Sequence, residues 1–130
     1  MEQFSVRTNS RYEFVPITAQ IRSLVRDSGV NQGICVVFCP HTTAGLTINE
    51  NADPDAARDM IYILEKLVPA DDPGYRHMEG NSQAHVLASL MGSSLNLIID
   101  NGELQLGTWQ GIYLAEFDGP RTRKVYVQIR

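Results

Sequence analysis

The chain has three histidines, all between positions 41 and 85 and all inside two short polar stretches. The first stretch is His41-Thr42-Thr43-Ala44-Gly45-Leu46-Thr47-Ile48-Asn49-Glu50-Asn51-Ala52-Asp53-Pro54, and the second is Tyr75-Arg76-His77-Met78-Glu79-Gly80-Asn81-Ser82-Gln83-Ala84-His85. Imidazoles, carboxylates, carboxamides and hydroxyls are the donor types from which metal and anion sites are built. A fold that joins the two stretches would give the chain a place to do chemistry. His77 and His85 are too far apart in sequence for an i, i+4 helical pair, and no zinc signature is present. A three-histidine metal site therefore stands beside the plainer reading of independent surface or core histidines.

Acidic and polar residues add to this set. Glu50, Asp53 and Asp55 cluster together; Asp53 is accounted for as a helix N-cap ahead of Pro54, whereas Glu50 has no such structural reason. Glu79 complements the dipole at the start of a second helix. The Glu79-Gly80-Asn81-Ser82 segment offers free backbone N–H groups, and with Thr42, Thr43 and Arg76 it makes a candidate phosphate or carboxylate pocket. Trp109, the single tryptophan, lies between Gly107 and Gly111 and is suited either to stack on an aromatic ligand or to pack. Arg121-Thr122-Arg123-Lys124 reads as a solvated basic turn, with phosphate binding as the alternative. No glycine-rich phosphate loop, Cys-x-x-Cys pair or serine nucleophile elbow occurs.

The elements that must position these residues follow from periodicity. Residues 2–7 and 12–16 alternate and flank the turn-like Asn9-Ser10, which predicts a β-hairpin. From Thr18, Ile21, Leu24 and Val25 recur at helical spacing up to Gly29. The apolar run 34–39 predicts a strand covered on both faces and ended by Pro40, and 43–48 predicts the next strand. A helix starts at Asp53-Pro54 and runs to about Leu67 with Ala57, Met60, Ile61, Leu64 and Leu67 as its stripe. Residues 69–74 form a loop, and a further helix runs from Asn81 or Ser82 to Gly92 with Leu87, Leu90 and Met91 inward. The remainder predicts strands at about 94–99, 103–106, 108–117 and 123–129, with a tight turn at Asn101-Gly102. Strands, a helix, strands, two helices and more strands make an α+β fold with a mostly antiparallel sheet, in a single domain over residues 1–130.

Composition bounds the function. The net charge is −4 and the pI about 5.2, which argues against non-specific nucleic-acid binding. Cys35 and Cys39 share a face of one strand about 13 Å apart at a rise of about 3.3 Å per residue. A disulfide needs Cα atoms roughly 4.4–6.8 Å apart, so both read as buried free thiols in a reducing compartment. Met1-Glu2-Gln3-Phe4 is no apolar leader, and no apolar stretch approaches a membrane span, so the expectation is a soluble cytoplasmic protein with neither nucleic-acid nor membrane partners.

The same stretches resemble the YjbQ-like family: the run from His41 to Pro54, Gly74-Tyr75-Arg76-His77 with Ala84-His85, and Ser94, Leu97, Ile99, Gly102, Gly107-Thr108-Trp109-Gln110 and Ile112. The resemblance covers essentially the whole chain. It implies a sandwich-like α+β fold with about three helices, assembled as a homotrimer with sheets packed round a threefold axis. It also implies secondary thiamine-phosphate synthase activity, a transferase reaction coupling an aminopyrimidine diphosphate to a thiazole phosphate, as a side activity of a metal-binding enzyme. On that resemblance His41, His77 and His85 are the expected metal ligands, and Glu50, beside them, and His85 the expected catalytic residues. Thr42, Thr43, Asn49, Arg76, Asn81, Ser82, Thr108, Trp109 and Gln110 are the expected anion and substrate contacts. Trp109 or Tyr113 would stack on the pyrimidine. The expected cofactor is a divalent metal, zinc before magnesium, because imidazoles prefer zinc and magnesium prefers oxygen. The expected partner is a small phosphorylated metabolite; the alternative is a non-catalytic trimeric module binding metal and a phosphorylated or carboxylated ligand.

Overall fold

A computed structural model describes all of residues 1–130. The elements in chain order are β1 (Glu2–Arg7), β2 (Glu13–Pro16), α1 (Thr18–Ser28), β3 (Gly33–Phe38), β4 (Ala44–Glu50), α2 (Pro54–Leu67), α3 (Ser82–Met91), β5 (Ser94–Asp100), β6 (Glu103–Leu104), β7 (Gln110–Glu116) and β8 (Thr122–Ile129). The strands form a five-stranded sheet, order β1-β8-β3-β5-β6, and a three-stranded sheet, order β2-β7-β4. All pairings are antiparallel. The fold is α+β with three helices, as the order of elements predicts.

Alternation along β7 sets the layering. Ile112 and Leu114 join a core with Cys35, Val37, Leu97, Val125 and Val127 of the large sheet and Ile21 and Val25 of α1. Tyr113 and Ala115 turn the other way into a second core with Phe14, Ala84, Leu87 and Phe117, against which Met60, Ile61 and Leu64 of α2 pack. The small sheet is therefore buried on both faces, with the large sheet on one side and α2 and α3 on the other.

Three local expectations are corrected. Strands 2–7 and 12–16 do not pair as a hairpin: β1 pairs β8 and β2 pairs β7 in the other sheet. Thr8, whose N–H donates to Arg121 O, is drawn to the far end of the chain. β3 is buried on one face only, since Ile34 and Phe38 are exposed; an apolar run cannot by itself say that a second face is covered. In α3 Leu87 is buried but Leu90 is exposed, and in α2 Leu67 is exposed; each lies at the edge of its stripe. The turn at Asn101-Gly102 forms as predicted, with φ of 53° and 74°. Asp53 caps α2 by accepting from the Asp55 N–H at 3.0 Å.

Candidate functional site

The site begins where β3 stops. Pairing of β3 with β8 ends at Phe38–Tyr126, and Pro40 cannot continue it. The Lys124 N–H, beyond that end, donates instead to His41 Nε2 at 2.8 Å. A backbone N–H can only donate, so Nε2 holds a lone pair and a neutral ring carries its proton on Nδ1. The ring is held neutral: burial lowers its pKa below 6.5, the Arg123 cation lowers it further, and Glu116 opposes.

The next residue but one, Thr43, is buried. Its hydroxyl and its carbonyl both accept from Arg123, at 2.8 and 3.2 Å. Arg123 is itself gripped by Glu116 through a two-pronged ion pair, one prong being Nε to Oε1 at 2.9 Å. Glu116 also accepts from Thr8 Oγ1 at 2.8 Å and from the Asp118 N–H at 3.1 Å. Neither Arg123 nor Glu116 is more than 2% exposed. Thr43 thus serves the interior, and of the expected Thr42–Thr43 pair only Thr42 faces the open cleft.

The other wall is α3. Gly45 allows the close approach: a Cβ there would lie 2.8 Å from Gly92 O and 2.9 Å from Met91 Cβ, and the Leu46 N–H donates to Gly92 O. Between the walls lies an open cleft of about 480 Å³ lined by His41, Thr42, His85, Ala88, Ser89 and Ser93, among others. The His85 ring meets His77 edge-on at 5.2 Å. His77 in turn lines a neighbouring cleft of about 340 Å³ with Asp72, Tyr75, Gly80 and Ser82. The fold therefore joins the two polar stretches, with the His77–His85 contact standing between two clefts.

A metal is the group the resemblance implies. No three histidine, cysteine, aspartate or glutamate side chains converge as a ligand set. His77 and His85 supply an adjacent pair, while the Nε2 lone pair of His41 is committed to Lys124. Zinc sites take three or four protein ligands, so the side chains as arranged in one chain do not fit a three-histidine site.

The remaining expected contacts fall elsewhere. Glu50 does not lie beside the histidines: it stands six residue steps along β4 from Ala44, about 20 Å at about 3.3 Å per residue. Glu50 pairs in register with Gln110, so Asn49, Glu50, Thr108, Trp109 and Gln110 form the opposite end of the small sheet. There Glu50 accepts from the Ala52 N–H, Asn49 from the Glu50 N–H and Gln110 from the Gly107 N–H. Trp109 is exposed. Tyr113 is buried, with its hydroxyl on Glu50 O and Asn51 Oδ1, and offers no face for stacking. Arg76 is exposed in the loop before His77 and lines neither histidine cleft. Asn81 makes no side-chain cap to α3; its amide donates to Asp118 at 2.8 Å, and its Oδ1, like both amide atoms of Gln83, is buried without a partner.

Glu116 carries no signal in the sequence reading, and Arg123 enters it only within a basic run read as a solvated turn. The basic run splits, with Arg121 paired to Asp118 at 2.9 Å outside and Arg123 inside. The signal was the period of two: Val125 and Val127 point inward, and Arg123 is in phase with them.

Together these features define a two-sheet α+β domain with a histidine-lined cleft between a strand corner and a helix. The family model described as UPF0047 protein YjbQ-like matches residues 2–130, and the chain belongs to that family. It is 45% identical over 129 residues to the UPF0047 protein YugU of Bacillus subtilis, covering 99% of this chain and 98% of that one. A UPF0047 protein of Methanocaldococcus jannaschii is 51% identical over 127 residues, covering 98% and 91%. An uncharacterized conserved protein of the YjbQ/UPF0047 family from Clostridium acetobutylicum superimposes with a TM-score of 0.98 at 56% identity, with both chains fully covered. A conserved hypothetical protein of Thermus thermophilus gives a TM-score of 0.93 at 42% identity, again over the whole of both chains.

Proposed function

We propose that the His41–His85 cleft binds a small phosphorylated metabolite and that the chain is a transferase of the thiamine-phosphate synthase type, acting on that substrate as a side activity. The observation that carries this reading is the meeting of the two polar stretches: His41 and Thr42 from one face His85 and Ser89 from the other across one cleft. In the reaction a thiazole nitrogen attacks the methylene carbon of the pyrimidine. The new C–N bond forms as the C–O bond to the diphosphate breaks, and pyrophosphate leaves with the electron pair. His41, as a neutral N–H donor, and the Thr42 and Ser93 hydroxyls are the groups that stabilise the leaving oxygens, with His85 as the proton donor. Orientation and fixed dipoles supply the rate.

No carboxylate lines this cleft, and Glu50 stands at the far end of β4. That position favours a second reading, a non-catalytic trimeric module that binds a phosphorylated or carboxylated ligand, with metal at the His77–His85 pair completed by further ligands. A homotrimer is part of both readings. Its support is the outer face of the large sheet, where Ile34, Phe38 and Ile98 are 54%, 40% and 65% exposed, a density of apolar side chains suited to an interface. No helix is long and apolar enough to cross a membrane, and the free, buried Cys35 and Cys39 support a cytoplasmic placement.

The experiment uses protein purified without a metal-affinity tag. Metal content, oligomeric mass and turnover of an aminopyrimidine diphosphate with a thiazole phosphate are measured for the wild type and His85→Ala. Turnover lost in a folded His85→Ala variant supports the enzyme. Pyrophosphate binding with no turnover supports the module, and the absence of both rejects the cleft as the site.

A further inference from the structure

Two consecutive residues of β8 hold the two ends of the His41–Thr43 corner. Lys124 bonds His41 through its backbone N–H, and Arg123 bonds Thr43 through its guanidinium, twice. The corner lies between strands, since β3 has ended and β4 begins only at Ala44, and one backbone bond continues the β4–β7 pairing into it, from the Phe117 N–H to Thr43 O at 3.2 Å. The other bonds to the corner come from β8. A guanidinium is suited to this task because its planar fork serves a carboxylate and a third acceptor at once. Glu116 takes one side of the fork and Thr43 the remaining hydrogen bonds.

The burial of this pair makes the arrangement rigid. Glu116 is saturated by Thr8, Asp118 and Arg123, so it cannot swing, and Arg123 cannot leave it without stranding a charge in the interior. Thr8 in turn accepts from the Arg121 N–H at 2.9 Å, which ties the network to the turn before β8. Four segments of the chain meet here, and the corner that carries His41 is the only one of them that faces the cleft.

We propose that Arg123, held by Glu116, is the positioning residue of the cleft: it anchors Thr43 and so keeps His41 against the Lys124 N–H with its proton on Nδ1. Arg123 touches no ligand. Its effect is to set which nitrogen of His41 donates, and where. The inference rests on the reading of the cleft as a phosphorylated-ligand site.

The test separates the two. The double variant Arg123→Met/Glu116→Gln removes both charges together, which leaves no unpaired ion inside. Ring ¹⁵N spectra and amide exchange are recorded on ligand-free protein, and inorganic pyrophosphate is then titrated in. The wild type is expected to show a pyrrole-type Nδ1 and a pyridine-type Nε2 at His41 and a protected Lys124 amide. In the folded double variant the His41 nitrogens are expected to average between tautomers, and pyrophosphate affinity to fall by about tenfold, the scale of losing an orienting partner behind a functional group. Ile99→Val, a core change away from the network, should lower the melting temperature and leave the His41 spectrum unaltered. If the double variant does not fold, Thr43→Val replaces it, with loss of Lys124 protection as the expected result. A folded variant that keeps the wild-type tautomer and Lys124 protection overturns the proposal. A wild type with the fixed tautomer that binds no pyrophosphate overturns the cleft reading alone.

Discussion

The two ends of β4 carry similar residue types and differ in how they are held. At the Ala44 end, the corner bearing His41 is tied to a buried ion pair and capped by β8. At the Glu50 end, the side chains of Asn49, Glu50 and Gln110 each accept from a backbone N–H close in sequence, those of Glu50, Ala52 and Gly107. The first end spends interior charge to fix a loop that faces a cleft; the second folds its polar side chains back on itself. Polar composition alone therefore does not mark a site: what marks it is polar atoms held from behind and left open in front.

The sharpest way to break this comparison is to cut each end's support. Arg123→Ala leaves Glu116 buried and unpaired, and is expected to cost about 3–5 kcal/mol by urea denaturation. Glu50→Ala removes one exposed bond to Ala52 and is expected to cost within about 0.5 kcal/mol. Equal losses would mean that the two ends are held alike.

A gentler probe uses the close approaches. A Cβ on Gly45 would meet Gly92 O and Met91 Cβ, and a Cβ on Gly111 would meet Asn51 Cγ at 2.5 Å. Each alanine variant is expected to lose about 1–3 kcal/mol, as overpacking does. They should part company in binding: Gly45→Ala pushes α3 from the corner and weakens pyrophosphate, whereas Gly111→Ala disturbs only Asn51 and Tyr113. Weakened pyrophosphate binding in Gly111→Ala would show the ends to be coupled.

The helix that leaves the Glu50 end gives a smaller effect still. Asp53 accepts from the Asp55 N–H, and Asp53→Ala is expected to cost about 1 kcal/mol, the usual worth of an N-cap. Because α2 packs on the small sheet rather than on the cleft, the His41 ring spectrum should not change. A shift there would argue that α2 helps to shape the site.

Local chemistry made much of this legible. Asp53-Pro54, Asn101-Gly102 and the helix start near Ser82 were read from residues whose backbone preferences are strong. The α+β class followed from element order, whereas the two polar stretches offered His41 and His85 as candidates without saying that they meet. What could not be read was long-range. The partner of β1 lies at the other end of the chain, and no turn signal says so. Glu50 looked close to His41 because nine residues is a short stretch of sequence, yet as a strand it is a long distance. Arg123 looked solvated as one of three cations, although its phase with Val125 and Val127 put it inside.

Acid provides the last contrast. The folded state lowers the pKa of His41 from 6.5, mainly through burial, with Arg123 adding to it. Below 6.5 the unfolded chain therefore binds a proton that the folded chain resists, so the stabilisation present above that value is lost as pH falls through the folded pKa. Protonation also removes the Nε2 lone pair that receives the Lys124 N–H. The groups around the ring are Arg123 and Arg121, which resist its protonation, and Glu116, which favours it. The Asn51 N–H, bonded to Trp109 O, has no histidine among its partners. As pH falls below 6.5 and through the lowered folded pKa of His41, the protection factor of the Lys124 amide should fall while that of Asn51 stays level. Equal behaviour of the two amides would mean that His41 is not the acceptor that holds β8 at the cleft.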